Sequence, residues 1–373
     1  MMESKYKIGP FIVLVDERNK EGYDYPVLGI NKDKTFMPTV ANMEGINTSK
    51  YKIVRKGTFV FSGMQTGRDV CIRIGLYDKD QPALISPAYT TFVLDERKEI
   101  IPEYFFLFFN RDESDRYGAF ISDSSVRANL DWNRFLDIEI PLPSLSEQQK
   151  IVNAWKALRE IKEQNEAIDA PLMQLCQSYI QDLKHSEYKK IKIGDGIKLY
   201  NKINISGVNY AVLGLNKEKT FMPTAANTIS LDLSKYKIVQ KGIFAFSGMQ
   251  TGRDKCIRIA LYEDDNAAVI SPAYTTFSIN EEKELVAEYV MLLFKDPEKD
   301  RLGWFYSDSS VRSNLDWDRF IDIEIPLPPL SVQQAIVNIY NCANEAKKIA
   351  AEADRMSREV CPALIQHATN HNI

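Results

Sequence analysis

Residues 140–152 read IPLPSLSEQQKIV, and residues 325–337 read IPLPPLSVQQAIV. Pro141 and Pro143 cannot lie inside a helix, so a strand ends there and a new element begins. Ser146 is a suitable N-cap, and Gln149 three residues on completes a capping box; Ser331 and Gln334 repeat the arrangement. Behind the first cap, Ile151, Trp155, Leu158, Ile168, Leu172, Leu175 and Tyr179 recur at helical spacings. This is the seam of a long helix that requires a partner. Lys162 and Asn165 interrupt the seam and help to set its register, and Pro171 is expected to kink or divide the helix. Behind the second cap, Ile336, Tyr340, Ala343, Ala350, Ala353, Val360 and Leu364 repeat the seam. The chain is two copies of one unit, each ending in a long helix, and the helices are expected to pair. At ~40 residues such a helix reaches about 60 Å, ample to hold two domains apart.

The copies are related by a constant offset. Thr35 and Thr220, Ser62 and Ser247, Tyr89 and Tyr274, and Trp132 and Trp317 all lie 185 residues apart. The offset holds from Gly9/Gly194 to the helix caps, whereas beyond the caps only the apolar period is shared. A solenoid would show several shorter periods; two large copies imply pseudo-two-fold symmetry. Within a copy, Tyr25 to Leu28, Thr58 to Phe61, Cys71 to Leu76 and Thr90 to Leu94 read as strands between turn residues. Pro102 to Asn110 reads as a short apolar helix with proline near its start, and Leu136 to Ile140 as an alternating strand. The expected fold class is α+β: two duplicated domains, residues 1–143 and 187–328. They are joined by two long helices, 144–186 and 329–373, that are expected to pair.

The composition excludes several classes. The 373 residues are 45% hydrophobic and 26% charged, as in an ordinary folded protein. No stretch approaches the ~20 apolar residues of a membrane span, and MMESKYKIG lacks a signal-peptide apolar region, so no membrane contact and a cytoplasmic location are expected. Cys71, Cys176, Cys256, Cys342 and Cys361 show no metal-ligand spacing and read as buried, reduced thiols. His185, His367 and His371 are not duplicated. Asp137 and Glu139, with Asp322 and Glu324, resemble half of a nuclease carboxylate pair, but no lysine is nearby in the sequence and they alternate as a strand does. No catalytic, cofactor or metal residues are assigned.

The sharpest local signal is FSGMQTGRD, residues 61–69, repeated identically at 246–254. Gln and Arg can each hydrogen-bond a base edge at two points, and Gly63 and Gly67 would let the backbone approach a partner closely. The alternative is a glycine-rich hairpin with Arg68 and Asp69 paired on its rim. Between residues 32 and 73, Lys32, Lys34, Lys50, Lys52, Arg55, Lys56, Arg68 and Arg73 face only Asp33, Glu44 and Asp69, in a protein of net charge −4. Residues 217–258 repeat this excess, the footprint of phosphate contact. A second repeated stretch is SDSSVRANLDW, residues 122–132. There Ser124, Ser125 and Arg127 would hold phosphates and Asn129 a base or phosphate, or the segment caps the helix at Trp132.

Two domains, each closing on a strand, IPLPxLSxQQ and a long helix, with KGTFVFSG/KGIFAFSG and SPAYTTF in both, resemble the specificity subunit of type I restriction-modification enzymes. The resemblance covers essentially the whole chain. It implies two target-recognition domains, each reading half of a split DNA sequence from the major groove, joined by two long antiparallel coiled-coil helices that act as a spacer. The implied DNA contacts are Lys32, Lys34, Lys52, Ser62, Gln65, Thr66, Arg68 and Arg127, with Lys217, Lys219, Lys237, Ser247, Gln250, Thr251, Arg253 and Arg312. The implied spacer and partner-binding residues are Ile151, Trp155, Leu158, Leu172, Ile336, Tyr340, Val360 and Leu364. The implied partners are double-stranded DNA, two methyltransferase subunits and, through the complex, restriction/translocase subunits. S-adenosylmethionine is expected on the methyltransferase and no cofactor on this chain, which lacks an NPPY motif. A related type II restriction-methylation system, or a stand-alone enzyme with two equivalent sites, are the alternatives. Because the loops are identical, the target is expected to be an interrupted palindrome.

Overall fold

The computed structural model describes residues 5–123, 125–224, 231–308 and 310–370, except for the side chains of residues 361 and 366–370. It divides into two compact units. One is built from residues 1–165 together with 349–373, the other from residues 166–348.

In the first unit, a four-stranded sheet is ordered β2-β9-β6-β7 and a second is ordered β4-β3-β8-β5. Their strands are β2 (Ile12–Leu14), β3 (Val27–Ile30), β4 (Phe36–Pro38), β5 (Lys52–Val54), β6 (Phe59–Ser62), β7 (Arg73–Leu76), β8 (Ala83–Ile85) and β9 (Thr90–Leu94). β1 (Lys5–Lys7) pairs antiparallel with β10 (Glu139–Pro141). The helices are α1 (Thr66–Asp69), α2 (Pro102–Phe109), α3 (Asp112–Phe120), α4 (Trp132–Leu136) and α5 (Leu145–His185).

The second unit repeats this order as β11 (Lys190–Lys192) and β12 (Ile197–Leu199), then β13 (Val212–Leu215), β14 (Phe221–Pro223), β15 (Lys237–Val239) and β16 (Phe244–Ser247). After α6 (Thr251–Asp254) come β17 (Arg258–Leu261), β18 (Ala268–Ile270) and β19 (Thr275–Ile279). α7 (Ala287–Lys295), α8 (Pro297–Tyr306), α9 (Trp317–Ile321), β20 (Glu324–Pro326) and α10 (Leu330–Asn370) follow. Its sheets, β12-β19-β16-β17 and β14-β13-β18-β15, have the same strand order and the same single parallel pair, so the duplication is structural.

Aromatic packing sets the core. Phe59 stacks on Phe92 at 5.0 Å and Phe61 on Phe135 at 4.2 Å; Phe244 on Phe277 and Phe246 on Phe320 repeat this at 4.9 and 4.2 Å. α2, whose residues 104–109 are all buried, closes the first sheet. The expected strands and α2 are present, with shifts. The strand expected from Tyr25 begins at Val27, that expected from Cys71 begins at Arg73, and the strand before the long helix is only Glu139–Pro141 because residues 132–136 form α4. α3 gave no apolar signal, since its buried residues are Ser114 and Gly118.

The start of the long helix differs from the expected cap. Ser144, not Ser146, makes the capping box: its Oγ accepts from the Glu147 N–H at 3.3 Å, and its own N–H donates to Glu147 Oε2 at 3.2 Å. Ser331 lies inside α10, so it is not a cap either, and Pro329 stands where Ser144 does in the first copy. Gln149 and Gln334 instead bond Asn153 and Asn338 along the helix. The fixing residue is their neighbour. Gln148 is fully buried; its Oε1 accepts from Ile101 N–H and its Nε2 donates to the carbonyls of Glu99 and Pro143, all at 2.9 Å. Gln333 does the same with Val286, Glu284 and Pro328. A buried amide satisfied on both sides ties the helix to the loop before α2.

The seam is also displaced. Ile151 and Ile336 are buried, and Trp155, Leu158, Leu172, Tyr340 and Leu364 are half-buried, but Ile168, Leu175, Tyr179 and Val360 are exposed. The faces that pack carry Val152, Cys176, Ile180 and Leu183 instead. In the first unit, Ile151 and Val152 share a cluster with Ile365 of α10, and Lys162 pairs with Asp354 at 2.7 Å, so the helix segments run antiparallel. In the second, Cys176, Ile180 and Leu183 share a cluster with Ile336 and Val337. Ala343 and Ala346 in that unit, and Ala350 and Ala353 in the first, are buried small residues on α10. α5 is continuous through Pro171, and Asn165 bonds its own helix at Ile161 O. Cys71, Cys176 and Cys256 are buried as expected, but Cys342 is exposed; the Cys361 side chain lies outside the described residues. No helix among the described residues is long and apolar enough to cross a membrane.

Candidate nucleic-acid interface

β6 runs into FSGMQTGRD and β7 returns from it, so the motif is the tip of an antiparallel hairpin closed by the single turn of α1. Gln65 enters that turn in the left-handed region (φ 60°), and Val70 leaves it there too (φ 48°), a costly conformation for a β-branched residue. In the second unit Lys255 replaces Val70 and lays its Nζ over the Trp304 ring at 4.5 Å.

The two repeated motifs form one edge. Gly67 N–H donates to Ala128 O at 2.8 Å, Leu130 N–H to Gly63 O at 2.8 Å, and Gln65 N–H to Asn129 Oδ1 at 2.9 Å. Gly252, Leu315 and Gln250 make the same bonds to Ser313, Gly248 and Asn314 at 2.8, 2.9 and 3.0 Å. Asn129 is thus a structural clamp. Gly63 and Gly67 admit this second loop, not an external partner: a Cβ on Gly63 would lie 1.8 Å from Leu130 O, and one on Gly67 2.8 Å from the Ala128 Cβ.

On this edge Arg68 is exposed and donates from Nη2 to Gln65 Oε1 at 2.6 Å; Arg253 donates likewise to Gln250 at 2.9 Å. Asp69 is held by Arg73 at 2.5 Å and lies 3.5 Å from both Lys32 and Arg68. Burial pushes the Asp69 carboxyl up, but the charges of Lys32, Arg73 and Arg68 outweigh it, so it sits below the ordinary carboxylate range. Burial likewise opposes the lowering of Asp254, which Arg258, Lys217 and Arg253 bring about. The rim pairing and the Gln–Arg pair therefore coexist, leaving an exposed arginine braced by two neighbouring side chains. Arg127 and Arg312 are exposed and have no side-chain partner among the described residues. Ser125 is exposed, and Ser124 lies outside the described residues.

Other candidates are internal. Lys34 is buried and paired with Asp115 at 2.6 Å, while Lys219 contacts both Asp300 oxygens at 2.8 Å and donates to Phe294 O. Lys52 and Lys237 donate to Tyr89 O and Tyr274 O at 2.8 and 2.7 Å. Thr66 and Thr251 are fully buried, each hydroxyl on the carbonyl of Gly63 or Gly248 at 3.1 Å. Ser62 and Ser247 are buried at the strand ends, where their Oγ atoms accept from Met64 and Met249 N–H. In this structure these eight side chains are engaged with internal partners of their own unit. The basic excess also shrinks, because Asp16, Glu17, Asp80 and Asp115, all outside the window, pair with Lys52, Arg55, Lys56 and Lys34. Lys32, Arg68, Arg127, Lys217, Arg253 and Arg312 remain exposed.

The carboxylates at the foot of each unit do have lysines. β1 brings Lys7 to Asp137, and β11 brings Lys192 to Asp322, each at 2.6 Å; all four side chains are more than half exposed. Hydrogen bonds from these lysines to the carboxylates raise both lysines, as in an ordinary surface ion pair.

Residues 12–170 match the type I restriction modification DNA specificity domain. Among solved structures, the type I restriction-modification S subunit from M. genitalium aligns at TM-score 0.60 and 14% identity, over 99% of this chain and 96% of that one. The HsdS subunit from Thermoanaerobacter tengcongensis aligns at TM-score 0.43 and 16% identity, over 99% and 97%. No curated protein matches the chain. The first copy thus carries a type I restriction modification DNA specificity domain, the second copy repeats its sheet order, and the chain as a whole has the fold of the M. genitalium S subunit.

Proposed function

We propose that this chain is the non-catalytic DNA reader of a restriction-modification complex, and that its target is an interrupted palindrome. The observation that carries the reading is the identity of the two braced edges: Arg68–Gln65 with Asn129 behind them, and Arg253–Gln250 with Asn314. Two equal readers meet the strands of a duplex in inverted orientation, with half-sites about one turn apart, roughly 10 bp centre to centre. Arg68 and Arg253 read base edges, while Lys32, Lys217, Arg127 and Arg312 hold phosphates or neighbouring bases. Methyltransferase subunits, which dock on the exposed faces of α5 and α10, bring S-adenosylmethionine and flip the adenine; restriction/translocase subunits join through them. The test is to map methylated adenines in a cell carrying the system. One motif with its inverted repeat across a gap is expected, and two unrelated half-sites would overturn the palindrome.

The readout is tested separately. Arg68→Ala with Arg253→Ala should cost about 1–3 kcal/mol per half-site on the cognate duplex and much less on scrambled DNA. Equal losses on both would move these arginines from base reading to phosphate contact.

A further inference from the structure

The tip of the second loop carries a side chain that base reading by Arg68 and Arg253 does not use. Val126 is 98% exposed and Val311 100% exposed. Isolated exposed valines are ordinary, but these two are presented by a braced turn. Asp123 Oδ1 accepts from the N–H and Oγ of Ser125 and from Asn129 N–H at 3.1, 2.5 and 3.0 Å, and Asp308 repeats the set at 3.0, 2.6 and 3.0 Å. Ala128 and Ser313 then turn the chain back through the left-handed region at φ 47° and 52°. Their carbonyls bind Gly67 and Gly252 N–H at 2.8 Å, so each valine belongs to the same edge as Arg68 or Arg253. The preceding helices have diverged, with Ser114 against Lys299, Tyr117 against Leu302 and Ala119 against Trp304, yet SDSSVR is unchanged.

We propose that Val126 and Val311 are specificity contacts for thymine. Each sets its isopropyl group against the C5-methyl of a thymine in the major groove, next to the base that Arg127 or Arg312 reaches. This rests on the DNA-reading function proposed above. The chemistry is selective: in that groove the thymine methyl is the apolar feature a base pair presents, and a small aliphatic side chain is its complement. The neighbouring cation draws the tip to the duplex, while the carboxylate-braced turn holds it without a binding-induced fold.

The probe is the motif that the full chain, purified with any subunits that accompany it, enriches from a random duplex library. Each thymine of that motif is replaced singly by deoxyuridine, which removes the methyl and leaves the pairing intact. One thymine per half-site should lose about four-fold in affinity, and about fifteen-fold when both half-sites are changed, the worth of one buried methyl at each. Val126→Ser with Val311→Ser should bind the thymine and deoxyuridine duplexes equally; at full exposure neither change threatens the fold. A motif without an A·T pair, no thymine with an effect, or an effect that persists in the double variant overturns the assignment while sequence preference stands. Failure to enrich any motif overturns DNA reading itself.

Discussion

Gly63→Ala is expected to destabilise the first unit by about 3 kcal/mol or more. The new Cβ would fall 1.8 Å from the Leu130 carbonyl oxygen and 2.9 Å from its carbon. Both are backbone atoms, so no rotamer change relieves the clash and the loops must separate. Separation breaks three hydrogen bonds, Leu130 to Gly63, Gly67 to Ala128 and Gln65 to Asn129, at about 1 kcal/mol each. It also unseats Leu130, which is buried among the aromatic residues of the core. Gly29→Ala is the control, since its Cβ would meet only the Tyr89 hydroxyl at an ordinary 3.7 Å. Urea unfolding measures both. If Gly63→Ala stays within about 0.5 kcal/mol of the parent, the size of an ordinary surface change, the two motifs are not one edge. Gly248→Ala should behave alike, because its Cβ would also lie 1.8 Å from Leu315 O.

The second large effect is Lys34→Ala. Lys34 and its neighbour Lys32 carry the same charge, but only Lys32 is exposed. Lys34 lies against Asp115, whose other oxygen accepts from Ile72 N–H at 2.8 Å. Burial raises the Asp115 carboxyl despite Lys34 and that N–H. Removing Lys34 leaves a buried carboxylate without its cation, a loss of about 3–5 kcal/mol. The variant's folded state then holds the Asp115 proton more tightly than the unfolded state does. Stability is therefore present at low pH and lost as pH rises through the raised pKa, and the deficit should shrink in mildly acidic buffer. Lys32→Ala with Lys217→Ala should leave stability nearly unchanged and reduce the salt slope of DNA binding by about one for each phosphate no longer neutralised. A Lys34→Ala protein of parental stability but flattened salt dependence would return Lys34 to the DNA face.

What the sequence disclosed and what it concealed follow from range. The duplication, the α2 helix and the positions of the long helices were legible because they rest on local apolar period and on proline. The cap was ambiguous in principle: Ser144/Glu147 and Ser146/Gln149 both fit the box. The choice is made by Gln148, whose amide binds the Glu99 carbonyl and the Ile101 N–H far back in the chain. The seam was misread for the same reason. Leu175/Tyr179 and Cys176/Ile180 are adjacent faces with one period, and only the partner helix decides between them. The basic window overstates the unpaired charge, because Asp16, Glu17, Asp80 and Asp115, outside it in sequence, arrive through folding. The union of the two loops left one trace, the glycines of FSGMQTGRD, and their close approach was assigned to the wrong neighbour.

The first unit borrows residues 349–373, and that has a consequence for biosynthesis. Residues 1–165 leave the ribosome first with most of their apolar cluster, but the part of it completed by Ile365 and Leu364 waits until the end of the chain is made. Residues 166–348 form a contiguous unit and can close as soon as they emerge. The half translated second can thus be completed before the half translated first, whose last helix segment arrives roughly 10–40 s after residue 165 at about 5–20 residues per second. During that wait a nascent chain is exposed to aggregation and to chaperones, and a premature stop near residue 348 would leave the earlier half unfinished while the later half stood complete.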